Sequence, residues 1–176
     1  LIPILSNGRP GDVPHIRSAY VNAQRFFKKG VHNPRILFPA VLLHDIGFGF
    51  LRKTTIPLVA GQKKIKELSH AVTALSSAYA GWILSCYGFS EGEIKAIRFC
   101  IEYGDDEELT VKSPPAEMIL LHDLNFLDRF YPHRIKIALK RHTKKDFQII
   151  LKRSLTAILT PEIKEEAEKR YNRLSL

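Results

Sequence analysis

Apolar residues along this chain recur three or four positions apart, and no stretch alternates with a period of two. That spacing lines one face of a helix and leaves a strand without a face. The fold class it predicts is all-α: a single-domain helical bundle of about six to seven helices spanning residues 1–176. A chain of 176 residues suits one hydrophobic core.

The punctuation sets the expected boundaries. A first helix runs from Asp12, read as an N-cap with Pro14 in the first turn, to Gly30, read as a left-handed cap. A second, from Pro34 to Ile46, is apolar almost all round and is expected to be the central buried one. Residues 50–64 read as a basic loop, followed by a third helix over 65–87 with Leu68, Val72, Leu75, Tyr79, Trp82, Ile83 and Cys86 on one side. Ser90 with Glu93 forms a capping box, stapled by Phe89 and Ile94, that starts a fourth. Ser113-Pro114 starts a fifth, residues 133–159 form a helix broken near Thr143, and Thr160-Pro161-Glu162 opens the last.

Apolar residues make up 45% and charged residues 26% of the chain, which excludes a disordered or fibrous protein. The longest apolar runs, Ile36–Leu43 and Met118–Leu121, fall short of the roughly 20 residues of a membrane-crossing helix. Leu1-Ile2-Pro3-Ile4-Leu5 is too short for a signal-peptide core. The expectation is a cytoplasmic protein with no membrane partner. Cys86 and Cys100 lack metal-binding or disulfide spacing and are expected to be buried thiols. Lys and Arg number 27 against 18 Asp and Glu, a net charge of +9 that biases partners toward phosphates.

Among seven histidines, His44 is set apart by Asp45 beside it at the end of an apolar helix. Neighbouring helical residues point about 100° apart, so the pair flanks one cleft. A nitrogen and an oxygen ligand side by side suit a divalent first-row metal; a capping Asp beside a core His is the plainer reading. Three further stretches carry polar groups into the same order of elements: Pro14-His15, Ser69-His70, and Leu121-His122-Asp123-Leu124-Asn125-Phe126-Leu127-Asp128.

In that order the motifs resemble the HD-domain superfamily of metal-dependent phosphohydrolases, over roughly residues 10–135. Beyond them lie basic C-terminal helices over 133–176. The resemblance implies that His15, His44 and Asp45 hold one divalent ion (Mn, Fe, Co, Ni, Zn or Mg) and that His70 supports catalysis together with Asp45. Where the family carries a ligating Asp this chain has Asn125, whose carbonyl can coordinate without adding charge; Asp123 is the substitute. No His follows Ile101, so Glu102, Asp105 or Asp106 would have to serve a second metal.

The implied activity is that of a phosphoric ester hydrolase: a metal-activated water attacks a nucleotide or another small phosphate ester. Cations to bind the substrate phosphate are Arg17, Arg52, Lys53, Lys63 and Lys64. The alternative is a catalytically degenerate HD-fold module that binds a phosphate-containing ligand or partner without turnover. A third, thinner reading gives nucleic acid as partner through Lys136, Lys140, Arg141, Lys144, Lys145, Lys152 and Arg153. Assembly as a homo-oligomer through the last helix is left open. His32, His133 and His142 are expected to be exposed, and His122 to pack against a neighbour.

Overall fold

The computed structural model describes residues 4, 6, 11–50, 62–104 and 109–174, without the side chains of 62–69. The described residues form eight α-helices and a 3-10 turn, with no strand. They are α1 (Asp12–Phe26), α2 (Pro34–Leu43), the 3-10 turn (Ile46–Phe50), α3 (Gln62–Cys86), α4 (Glu91–Tyr103), α5 (Ala116–Asp128), α6 (Pro132–Ala138), α7 (Lys144–Ala157) and α8 (Pro161–Asn172). The chain is thus an all-helical, single-domain bundle. No described helix is long and apolar enough to cross a membrane.

The hub is α5 rather than α2. From Glu117 to Asp128 every α5 residue except Ile119 is buried, and α1, α2, α4, α7 and α8 all pack on it. Its run Met118-Ile119-Leu120-Leu121 is shorter than the apolar run of α2, yet α5 also buries four polar residues in its last two turns: His122, Asp123, Asn125 and Asp128. Hydropathy alone hides such a helix. The basic helices α7 and α8 belong to the same bundle, since both touch α5.

Boundaries follow capping chemistry. The N-cap of α1 is Gly11, left-handed at φ 104°, and Asp12 is already helical and fully buried. The helix stops at Phe26, four residues before the left-handed Gly30. α2 begins at Pro34, with Asn33 accepting from Arg35 N, and ends at Leu43, where the chain tightens into the 3-10 turn. Gly88, at φ 72°, stops α3, and the expected capping box of Ser90 and Glu93 is formed in full. Thr143 caps α7 through Asp146 N, so the expected break in 133–159 is real and five residues long (139–143).

The outward face of α3 differs from expectation. Ser76, Ser77 and Ala80 are the buried residues, with Val72 and Leu84, while Trp82 is 67% exposed and Cys86 is exposed too. Small side chains let α3 approach α4 closely, so the aromatic residues are displaced outward. Cys100 is buried, and burial, with the charge of Glu117 adding, pushes its thiol up to about 12.

Gly47 fastens the 3-10 turn to α3. Its N–H donates to Ser76 Oγ at 2.9 Å, and a Cβ there would stand 2.5 Å from the Val72 carbonyl. Gly47→Ala is therefore expected to destabilise the fold by about 1–3 kcal/mol, read from urea denaturation.

Glu93 accepts from Arg35 Nε and from Ser90, and these bonds draw its carboxyl down to about 2. A carboxyl lowered on folding stabilises above its unfolded value and loses that contribution as pH falls through its folded value. NMR titration should place the Glu93 midpoint near 2, and Arg35→Ala should raise it.

Candidate metal centre

His15 lies one turn into α1 and His44 caps the end of α2, followed at once by Asp45 ahead of the 3-10 turn. The packing of α1 against α2 brings the three together. His15 Nε2 is 3.0 Å from His44 Nε2 and 3.5 Å from Asp45 Oδ2, and His44 Nε2 is 3.8 Å from the same oxygen. One ligand atom from each can be chosen so that all lie within 4.8 Å of one another. The imidazoles are 3% and 7% exposed.

The opposite ring nitrogens fix what these atoms offer. His44 Nδ1 is 2.8 Å from the Val41 carbonyl, which can only accept, so that nitrogen carries the hydrogen. His15 Nδ1 is 2.7 Å from Asp128 Oδ2. Burial pushes the Asp128 carboxyl up, but the hydrogen bond and charge of His15, with the charges of Arg134 and His133, outweigh it and hold the carboxyl below its usual range. Asp128 is therefore an ionised acceptor and His15 Nδ1 the donor.

With both Nδ1 atoms donating elsewhere, the two rings turn Nε2 toward each other and toward a carboxylate. Those three groups repel unless a proton or a cation lies among them. A histidine whose far nitrogen donates to a carboxylate or a backbone carbonyl is the usual form of a metal ligand. The spacing also fits: two nitrogens about 2.1 Å from a shared ion stand about 3.0 Å apart at a right angle and about 3.4 Å apart at the tetrahedral angle. The donor set of two nitrogens and one oxygen suits a divalent ion and leaves coordination positions open.

The other expected site residues divide. Asn125 is 8% exposed, with no hydrogen-bond partner for Oδ1, and lies one turn before Asp128 on the same face of α5. Asp123, the expected substitute, is engaged elsewhere. Its oxygens accept from Leu159 N at 2.9 Å and Thr160 N at 2.7 Å, and Oδ1 is 2.9 Å from His122 Nδ1.

His70 and Arg17 are both exposed. Each sits two residues from a buried one, Val72 and His15, and so about 200° around the helix, facing outward. Arg52, Lys53, Asp105 and Asp106 lie outside the described residues, as do the side chains of Lys63 and Lys64. Glu102 is engaged by Ser77 Oγ at 2.5 Å.

Asp128, His133 and Arg134 complete the surroundings of His15. Arg134 Nε is 3.0 Å and His133 Nε2 3.3 Å from the Asp128 carboxylate, the second without hydrogen-bond alignment. His133 is 25% exposed, contrary to the exposed setting expected. Burial lowers its pKa more than Asp128 raises it. The available signal was Asp128 itself, a carboxylate three residues after Asn125 in a helix with no room for an unpaired charge. His122 packs as expected, its ring 4.8 Å from Phe126.

Compared with known protein families, with curated proteins and with solved structures, the chain matches none.

Asp128 is 1% exposed and ends a helix, where the dipole disfavours an anion. Asp128→Ala should cost about 3 kcal/mol or more in chemical denaturation, because it strands His15 and Arg134 without their counter-charge.

Proposed function

We propose that this protein is a metal-dependent phosphohydrolase of the HD-domain kind, acting on a nucleotide or another small phosphate ester. One observation carries the reading: the Nε2 atoms of His15 and His44 meet at 3.0 Å beside Asp45, while both Nδ1 atoms are anchored elsewhere. His15, His44 and Asp45 would hold one divalent ion, with the Asn125 carbonyl as a fourth donor. Such an ion supplies a Lewis acid that activates water and neutralises charge on a phosphoryl oxygen.

The chain's own groups do the rest. Asp128 orients the His15 ring and the Val41 carbonyl orients that of His44, which keeps both donor atoms aimed before anything binds. Asp45 is the carboxylate within the trio and the group placed to take a proton.

A second reading, a degenerate module that binds a phosphate compound without turnover, draws on Asn125. An amide where the family has a carboxylate removes one negative charge from the ligand set, and Asp128, the neighbouring acid, is occupied by His15.

Protein purified without chelator should carry up to one divalent ion per chain, and His44→Ala should lose it. With added Mn²⁺ or Co²⁺ the wild type should hydrolyse a generic phosphomonoester. Metal without turnover selects the binding module, and neither metal nor turnover removes the hydrolase. Asn125→Asp should tighten metal binding about tenfold by adding a charged ligand; unchanged affinity would show that position 125 is not a ligand.

A further inference from the structure

Behind the metal centre, on the far side of Asp128, lies a cavity of about 210 Å³ between the end of α5, α6 and α7. Arg129, Arg134, Arg141 and His142 line it, no acidic side chain does, and its remaining walls are Ile137, Ala138, Phe147 and Ile150. None of His15, His44 or Asp45 reaches it.

The cations are not equivalent. Arg129 is held in place, its guanidinium 4.3 Å from the Phe126 ring and Nη1 3.2 Å from Ser154 Oγ. Arg134 turns Nε to Asp128, which occupies one of a guanidinium's five N–H donors. Arg141 is exposed, and among the described residues its side chain has no ion-pair partner. Three guanidinium groups line one cavity, and although Asp128 balances Arg134, none of the described lining residues is acidic, so a multiply charged anion is attracted there. Guanidinium forks match phosphate geometry. The walls opposite are aliphatic and aromatic, so they favour a ligand with an apolar or flat body over a bare ion.

We propose that this groove is a second binding site, for a small organic phosphate of the nucleoside monophosphate class. Its phosphoryl group lies against Arg134 and Arg141, and its base or other apolar body lies against Ile137 and Phe147. The volume admits a phosphoryl group and part of an organic moiety, with the remainder in solvent. A small phosphate is favoured over a nucleic-acid strand because the cations converge on one cavity instead of tracking along a surface.

The test is calorimetric titration of the chelator-treated full chain with adenosine monophosphate, adenosine and inorganic phosphate at moderate salt. Adenosine monophosphate should bind more tightly than inorganic phosphate, and adenosine should not bind. Arg141→Glu should weaken the nucleotide about tenfold or more, while Lys29→Glu, the same charge change at an exposed site off the groove, should shift it less than about twofold. Arg141→Glu should take up divalent metal as the wild type does, so failure of the metal centre and failure of this site are read separately. No nucleotide binding at millimolar concentration, equal losses in Arg141→Glu and Lys29→Glu, or adenosine binding as well as its monophosphate would each overturn the site. Equal affinity for inorganic phosphate overturns the organic-phosphate assignment. A short oligonucleotide bound far more tightly than the mononucleotide, with the affinity indifferent to Arg141→Glu, overturns it in favour of a diffuse basic surface.

Discussion

One buried carboxylate sets the arrangement of half the molecule. Asp128 sits at the last position of the most enclosed helix, 1% exposed, where the dipole and the lack of water both oppose a charge. It is tolerable there because one cation, Arg134 of α6, and two ring nitrogens, from His15 of α1 and His133 of α6, converge on it. The same convergence fixes the ring of His15, and through it the face that α1 presents to His44. A requirement of stability thus becomes the device that aims a donor atom.

His44 and Asp45 owe their position to a different constraint. α2 stops at Leu43, and the chain turns at once through Ile46–Phe50 with Gly47 pressed against α3. The doublet is therefore trapped between a helix end and a turn that a side chain would force apart. Two independent packing solutions, one around Asp128 and one around Gly47, meet at the 3.0 Å gap between imidazoles.

Much of this was legible in the residues themselves. The helical class, the capping box at Ser90, the break at Thr143 and the juxtaposition of His15 with His44 and Asp45 all follow from local spacing or from the order of motifs. What escaped was direction. Arg17 lies two residues from His15, more than half a turn around the helix, and both it and His70 are exposed. Trp82 and Cys86 share helical spacing with apolar neighbours, but the small Ser76 and Ser77 take the buried positions, against Gly47 and against Glu102 and Arg98 of α4. The fate of Asp123 and Asp128 depended on partners 36 and 113 residues away, and no local pattern encodes those.

Asp123 also changes the status of the C-terminal helix. Its two oxygens receive the backbone amides of Leu159 and Thr160, just ahead of α8, so the entry to that helix is fastened to the middle of the bundle, while the Thr160 side chain makes no cap hydrogen bond. Cutting the chain before residue 159 would strip Asp123 of both amides and leave, among its described hydrogen-bond partners, His122 alone. The last helix is accordingly a keystone and not a tail, and any attempt to trim the protein to its motif-bearing portion would dismantle the interior it meant to isolate.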